Sequence, residues 1–425
     1  SDLNINLYYS DNIAQAEILS NSDGQINSGN AEIASKTIGG LDNNNVGVAA
    51  GLVGIAGDVV VVEMGQHKDY TSSETASGVK KAHDRVNNIY NFETPKKDET
   101  GSISRVNGNL KAGSNVDIKA ESKLKGKDGD TLKFKNTDIT AGLGTGSVAV
   151  RDIQLNNNTI SEITGGNVES TSGKVSVNAK NTSNVEITTT KVDVSGLTFS
   201  GGSSIYNNKS NTIAQIGSTK GKTTVKGNSV DVIANSSSKS DIDSTTVVVT
   251  GGNIVAVDLN ENKDENNSVA KITGKTDITS TNKLTVHSTV NTDLSAKKRT
   301  VSITGANMVS VSKNEVNAST VSKAIMENVE GTIAANGIDI ISDYDTMSAF
   351  AKSNITAVKL GDVYSGDSSG ATMNANFTSG IYKLSGTTSS PVYSAADVII
   401  NNSGATTITT AKKNTVMILS LYWSK

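Results

Sequence analysis

The fold is decided by the stretch from Asn266 to Ser288, which reads NNSVAKITGKTDITSTNKLTVHS. Near its end, Leu284 and Val286 alternate with polar residues. Alternation with a period of two is the pattern of a half-buried β-strand, and the Gly, Thr, Ser and Asn clusters between such runs are typical of turns. The stretch therefore predicts short strands joined by tight turns.

The same pattern recurs along the chain at intervals of about 53 residues. A unit that repeats at a fixed spacing stacks its equivalent residues in a solenoid, so we predict two core ladders of aliphatic residues. The first ladder is Ile160, Ile213, Val269 and Val321, and the second is Val177, Val232, Val286 and Ile340.

The composition agrees with a thin core. Of the 425 residues, 35% are hydrophobic and 4% aromatic, which is lean for several conventional cores. The net charge of −3 is too small for a chain that stays disordered through charge repulsion. A solenoid, which buries a narrow strip of small residues in each repeat, fits both observations.

We therefore predict an all-β fold, a right-handed parallel β-helix whose strands stack about 4.8 Å apart. Two coils of about 26 residues in each repeat give at most sixteen coils and a rod of up to roughly 75–80 Å. The alternative is a left-handed β-roll. It is suggested by NSVAKI at Asn267, which is similar to the head repeat of trimeric autotransporter adhesins, although the spacing of that family is absent.

Two parts of the chain depart from the repeats. We expect residues 1–360 to form β-helix repeats with an insertion at about 65–100, in which Val79, Ala82, Val86 and Ile89 predict a short helix over 76–90. Residues 361–425 are expected to form the C-terminal coils and a capping or docking region. There, Tyr422 and Trp423 are candidates for a docking end.

Two segments bear on export and membranes. Residues 47–62 are apolar but contain four glycines and Asp58, whereas a spanning helix needs about 20 apolar residues. We expect two buried strands around a turn there and no membrane insertion. The start at Ser1 lacks the basic and apolar regions of a signal peptide, so we expect a mature chain or a fragment.

The chain contains a few residues of the types that serve in catalysis or metal binding. Sugar cleavage needs two facing carboxylates, and a zinc site on a helix needs closely spaced histidines. Each carboxylate candidate lies in a polar, turn-like stretch, and no histidine has a partner at helical spacing. We therefore predict no enzyme, no cofactor and no metal site. The residues considered are Asp241 with Asp243, Asp343 with Asp345, the run 261–265, the possible calcium ligands Asp128 and Asp130, and His67, His83 and His287.

Nucleic acid is not an expected partner. The chain has an isoelectric point near 5.8, and its only arginines are Arg85, Arg105, Arg151 and Arg299. Recognition of phosphates and bases depends on arginine forks and a clustered basic face.

The sequence pattern of residues 266–288, followed by VSITG at 301–305, resembles that of the passenger repeats of filamentous-haemagglutinin-type and leukotoxin-type exoproteins of two-partner secretion. It also resembles the pattern of related autotransporter passengers. The resemblance covers most of residues 10–360, in pattern more than in any diagnostic motif. It implies a right-handed β-helix that is exported to the bacterial surface for adhesion or toxicity.

We accordingly expect an extracellular or cell-surface adhesin rod that presents binding surfaces to a protein or glycan receptor on host or neighbouring cells. The alternative is a structural subunit of an extracellular filament, which assembles end to end through strand edges.

Overall fold

The computed structural model describes residues 2–10, 13–19, 24–64, 101–387, 390–394 and 396–411. Within these ranges every regular element is a β-strand, so the all-β prediction is confirmed for them. The expected helix at 76–90, His67, His83 and the docking candidates Tyr422 and Trp423 lie outside the described residues.

The described residues contain twenty-three strands, which follow one another in chain order. Their bounds are β1 Asp2–Ser10, β2 Ile13–Ile18, β3 Gln25–Ser28, β4 Ala31–Gly39, β5 Asn43–Met64, β6 Gly101–Asn107, β7 Asn109–Ala112, β8 Val116–Leu124, β9 Leu132–Ser170, β10 Lys174–Ile216, β11 Thr223–Gly227, β12 Ser229–Thr250, β13 Ile254–Gly274, β14 Thr276–Ser280, β15 Leu284–Thr304, β16 Met308–Val329, β17 Thr332–Ala335, β18 Ile338–Asp343, β19 Met347–Lys359, β20 Val363–Thr387, β21 Ser390–Ser394, β22 Ile399–Asn402 and β23 Thr406–Thr410.

The strands form a parallel stack in which each coil takes up one whole repeat. Val232 of β12 pairs with Val286 of β15, and Asn260 of β13 pairs with Asn314 of β16, residues 54 positions apart. The prediction of two coils in each repeat is therefore wrong. The two alternating runs of a repeat look like equivalent strands in the sequence, but they form different sides of one large coil.

Each coil has two long arms and one short side. In one coil, β12 forms the first arm, a turn at residues 251–253 reverses the chain, and β13 forms the second arm. The strand β14 is the short side, and a turn at Asn282 leads into the next coil. In this turn Asn282 N donates to Asn228 O at 2.7 Å, and Asn336 N donates to Asn282 O at 2.8 Å. Equivalent turns thus stack on each other.

The two arms of a coil pack face to face through their side chains. Ser244 Oγ donates to Asn260 Oδ1 at 3.0 Å, and Ser238 Oγ donates to Asp264 Oδ1 at 2.9 Å. In each pair, the two residues are separated from the turn by nearly the same number of residues along the chain. The coil is consequently flattened into two sheets, which typically lie about 10 Å apart.

The molecule is a broad plate instead of the expected long rod. An arm such as β12 has 22 residues and a contour of about 70 Å at 3.3 Å per residue. Among the described strands, the short side is stacked in seven levels, which rise about 30 Å at 4.8 Å per level. These levels are β3, β7, the end of β9, β11, β14, β17 and β22.

The interior is divided into layers between the short side and the turn that joins the arms. Beside the short side lies the largest apolar cluster, which we call the apolar stack; it includes Val177, Val232, Val286, Ile340 and Ile216. A layer of Ser and Asn follows, then a second apolar cluster around Tyr206. Charged residues come next, and a small cluster with Val248 and Met308 fills the inside of the turn.

The C-terminal region continues the stack. Strand β20 pairs with β16, β22 with β17 and β23 with β18, all in parallel. An antiparallel hairpin of β20 and β21 interrupts this coil, and the rings of Tyr382 and Tyr393 meet across it with centroids 5.1 Å apart.

Candidate functional site

The two proposed ladders lie on different faces of the coils. Val177, Val232, Val286 and Ile340 pair in register on successive coils and are fully buried. In the other ladder, Ile160, Ile213 and Val269 pair in register but are only half-buried, because their side chains point to the outer face. Val321 lies opposite Asn267, so it is out of register with that column. The inward positions beside them belong to Thr159, Thr212 and Ser268.

The carboxylates Asp241 and Asp243 lie on the outer face of β12. Asp241 accepts a hydrogen bond from Ser295 Oγ of the next coil, and Lys297 Nζ lies 3.4 Å from it. Burial raises the pKa of Asp243, and the neighbouring Asp241 raises it further. The two side chains share one face, so they do not oppose each other across a cleft as sugar cleavage requires.

The carboxylates near residue 343 are engaged in contacts between coils. Asp343 Oδ1 accepts from Thr289 Oγ1 at 2.8 Å, and His287 Nε2 lies 3.1 Å from Asp343 Oδ2. The backbone N of Asp345 donates to Asn291 Oδ1 at 2.7 Å. These groups therefore hold adjacent coils together on the outer surface.

The acidic residues of the run 261–265 point to both faces of the strand, because successive side chains alternate between the faces. Glu261 and Glu265 lie on the outer face, whereas Asp264 is fully buried. Asn208 Nδ2 donates to Asp264 Oδ1 at 2.6 Å, and Oδ2 has no hydrogen-bond partner. Burial raises the pKa of Asp264 to about 6, against the effect of the hydrogen bonds from Asn208 and Ser238.

Of the two possible calcium ligands, Asp130 forms an ion pair with Lys123 at 2.6 Å. The backbone next to them is held by Asp42, whose Oδ2 accepts from Lys127 N at 2.5 Å. Across the described residues no group of three or more His, Cys, Asp or Glu side chains is arranged to hold a metal ion.

A buried ionic layer crosses the stack between the second apolar cluster and the turns. Asp258 lies between two lysines, Lys191 of the coil before it and Lys298 of the coil after it. Lys191 Nζ is 2.5 Å from Asp258 Oδ1, and Lys298 Nζ contacts Oδ2; all three side chains are buried. Burial alone would raise the pKa of Asp258, but the two ammonium groups outweigh it and lower the pKa.

The same layer continues toward the N-terminal coils. Arg151 Nη2 lies 2.5 Å from Asp58 Oδ2, and both side chains are buried. Burial raises the pKa of Asp58, and the nearby Arg151 opposes this shift. Asp138 and Asp193 complete the layer, and burial raises the pKa of each. Sequence reasoning missed this layer, although the inward phase of the alternation in KVDV at 191–194 was a signal for it.

The outer surface around the turns is apolar in coil after coil. On the first arm, one outward column consists of Val194, Val249, Ile303 and Val358, which are 47%, 38%, 50% and 64% exposed. On the second arm, the matching column consists of Phe199, Val255, Val309 and Tyr364, which are 51%, 38%, 39% and 61% exposed. Aliphatic and aromatic side chains thus cover both faces beside the turns.

All of these column residues except Val358 and Tyr364 belong to turn segments without any charged residue. We call the surface formed by residues 46–57, 139–150, 194–202, 247–257 and 301–311 the apolar edge. None of these five segments contains Asp, Glu, Lys, Arg or His. The sixth turn carries Lys359 and Asp362 and is not included. Exposed apolar patches of this extent mark interaction sites in soluble proteins.

The backbone of the apolar edge is hydrogen-bonded between coils. Gly251 N donates to Ser195 O at 3.1 Å, and Gly305 N donates to Thr250 O at 3.0 Å. Asparagine side chains add to this stack, since Asn307 N donates to Asn253 Oδ1 at 3.1 Å. The turns therefore expose apolar side chains while several of their backbone donors are already satisfied.

The edge is also a feature that sequence reasoning did not identify. The segment 301–305 was noted for its resemblance to passenger repeats, and residues 47–62 were expected to form two buried strands. Instead, Leu52 and Val53 are 76% and 68% exposed. The absence of charge from equivalent segments of five repeats was the available signal.

Comparisons with protein-family models, curated proteins and solved structures find no match. Among the described residues, no helix is long and apolar enough to span a membrane.

Proposed function

We propose that this chain is a non-enzymatic, secreted or surface-displayed bacterial exoprotein that acts as an adhesin, with its stacked coils presenting a binding surface to host or neighbouring cells. The apolar edge is the observation that carries this proposal. In five coils the apolar edge exposes uncharged aliphatic side chains to solvent. These side chains are not needed for the core, because other residues fill the interior beside the turns. A surface of this kind costs solubility and is retained where it binds something.

The surroundings of the polar candidates support a binding role over catalysis. Asp241 and Asp343 each contact a cationic or hydroxyl group of an adjacent coil, and Asp258 is enclosed by two lysines. These contacts account for the carboxylates through stacking of the coils. We further propose that the coils are right-handed, as parallel crossover connections almost always are, and that the partner is a protein or glycan receptor.

The proposal is tested by cell binding. The variant Val249→Lys/Val309→Lys places one charge on each face of the edge at exposed positions. The control Asn235→Lys/Ser237→Lys adds the same charge on the outer face of β12, away from the turn. We expect labelled protein to bind cells, the edge variant to lose at least tenfold in bound fraction, and the control to bind like the parent. Absence of saturable cell binding by the parent protein would refute the adhesin role.

A filament subunit is the second candidate, and the open ends of the stack favour it. Within the described part of the chain, β1 pairs only with β5 and β3 only with β7, so one strand edge of each is unpaired. At the other end β22 pairs only with β17. Unpaired parallel edges are templates for another chain. Light scattering against concentration separates the candidates: growth in length supports the filament, and a stable monomer contradicts it.

A further inference from the structure

We propose that the apolar edge inserts into the outer leaflet of a lipid bilayer as a shallow wedge, so that the plate stands on a membrane surface. This inference rests on the proposed adhesin function and replaces the protein or glycan receptor proposed for the apolar edge with a lipid surface. The proposed partner is the acyl-chain region of a bilayer.

The depth of the edge agrees with one leaflet. From the outward column at Val247 to the turn at Gly251 there are four residues, or about 13 Å of extended chain. Half of the hydrocarbon thickness of a typical bilayer is about 15 Å. Charges bound the apolar surface on both faces of one coil, because Arg299 precedes its turn and Lys313 follows it, both exposed. These cations would lie at the level of the headgroups.

The shape of the edge favours lipid over a second copy of the chain. Five coils at 4.8 Å and a depth of about 13 Å give each face roughly 300 Å². A flat partner covers one face only, which is well below the roughly 800 Å² per partner of a stable protein interface. Acyl chains, which are fluid, can cover both faces and the turns together. The convex form of the edge thus fits a solvent-like partner.

The hydrogen bonding of the edge also suits lipid. A backbone group that enters hydrocarbon must find its partner within the protein. At the turns, Ile254 N donates to Asn307 O, and Met308 N donates to Asp362 O, both at 2.9 Å. In these coils the stack therefore provides partners for both donors before any contact with lipid. The proposal departs from the expectation of no membrane insertion for residues 47–62: they lie within strand β5, and only the segment 46–57 would enter the leaflet.

Vesicle flotation tests the proposal with uncharged lipid. Phosphatidylcholine vesicles contain no net charge, so insertion of the apolar edge should be equally strong at 0.1 M and 1 M NaCl. We expect the parent protein to float with the vesicles, Val249→Lys/Val309→Lys to lose at least tenfold in bound fraction, and Asn235→Lys/Ser237→Lys to retain it. Matching circular dichroism spectra and melting curves establish that the variants are folded.

A fluorescent label reports the depth directly, and the chain has no cysteine to interfere. With an environment-sensitive dye on Val249→Cys, we expect a blue shift on vesicle addition and quenching by bromine-labelled acyl chains. The same dye on Ser237→Cys should show neither effect. Failure of the parent to float, equal flotation of the edge variant, or binding only to anionic vesicles with loss at 1 M NaCl would overturn the proposal.

The outcomes separate this proposal from the adhesin function on which it rests. Binding to cells without binding to vesicles would refute the lipid partner and leave the adhesin role. A concentration-dependent dimer that the edge variant abolishes would show that a second copy covers the edge, and would also refute the lipid partner. Absence of binding to both cells and vesicles would refute both.

Discussion

The apolar stack beside the short side and the ionic layer near the turns are built on the same parallel ladders but are filled in opposite ways. In the apolar stack, Val232 and Val286 lie directly above one another and are fully buried. In the ionic layer, Asp258 takes a lysine from each neighbouring coil. Burial of aliphatic side chains lowers the free energy of the folded state. Burial of a charge raises that free energy through lost hydration, and only the attraction of a buried partner offsets the cost.

The two regions therefore have different effects on the fold, one on its stability and the other on strand register. A column of valines tolerates a shift by two residues, because another aliphatic residue follows on the same face. A carboxylate between two ammonium groups does not tolerate it, since all three charges would then lose their partners. We therefore interpret the apolar stack as the main source of stability and the ionic layer as the feature that fixes the register of the long arms.

The largest effect is expected from Asp258→Asn, which removes the shared anion of the ionic layer. Lys191 and Lys298 would remain buried without the carboxylate that they share, and breaking such a pair costs about 3–5 kcal/mol. The urea unfolding midpoint at pH 7 measures the loss. The control is Asp241→Asn, because Asp241 pairs with Lys297 at the partly exposed surface, where an ion pair contributes about 1 kcal/mol or less.

The same experiment can be sharpened by removing all three charges. In Lys191→Met/Asp258→Leu/Lys298→Met none of the three groups keeps a charge that needs a partner among the other two, so stability should be higher than that of Asp258→Asn. Asp138 and Asp193 lose the nearby Lys191 in this variant, which favours their neutral forms. If this triple variant has a sharp unfolding transition and an unchanged hydrogen-exchange pattern in the long arms, the register role of the layer is contradicted. A broad transition would support it.

The second effect compares two isoleucines on one strand. Ile216 is fully buried in the apolar stack, whereas Ile213, three residues earlier, lies on the outer face. We expect Ile216→Ala to cost about 2–5 kcal/mol through lost burial and the remaining cavity. Ile213→Ala should cost about 1 kcal/mol or less. Denaturant unfolding of both variants checks this, and equal losses would contradict the assignment of faces.

The third effect is the pH dependence of folding stability that arises from the buried Asp264. The pKa of Asp264 is about 6 in the folded protein and near 3.9 in an unfolded chain. The folded state therefore binds this proton more tightly, and stability should rise as pH falls from 7.5 toward 4, by roughly 3 kcal/mol at most. Asp264→Asn should lack this part of the pH dependence.

Unfolding midpoints of both proteins at several pH values test the prediction by difference. Asp138 and Asp193, whose pKa values burial also raises, act in the same direction and are present in both proteins. Parallel pH profiles of the parent and the variant would show that Asp264 does not titrate as expected.

The smallest effect is expected on the outer face, where polar ladders hold the coils. Asn211 Nδ2 donates to Asn158 Oδ1 at 3.1 Å, and Asn267 Nδ2 donates to Asn211 Oδ1 at 3.0 Å. Asn211→Ala removes both bonds at a partly exposed position and should cost about 0.5–1.5 kcal/mol. Asn207→Ala, at an outward position on the same strand, is the matched control. No difference between the two melting temperatures would mean that the ladder contributes nothing.

Part of the fold and little of the candidate site were accessible from the sequence. The alternation around Val232 and Val286 predicted parallel strands that stack at the repeat period. The pairs Asp241 with Asp243 and Asp343 with Asp345 were noticed because carboxylates are conspicuous, but the structure engages them in contacts between coils. The apolar edge was overlooked because each turn segment, taken alone, resembles a buried strand.

The sequence by itself determined the strand content, the repeat of about 54 residues and the phase of inward and outward side chains in the apolar stack, because these depend on local periodicity. Only the tertiary structure decided that one repeat makes one flattened coil, that Lys191, Asp258 and Lys298 meet in one layer, and that five turns align into an edge. The reason is that the closure of a coil depends on where two distant arms face each other. No local pattern encodes this distance.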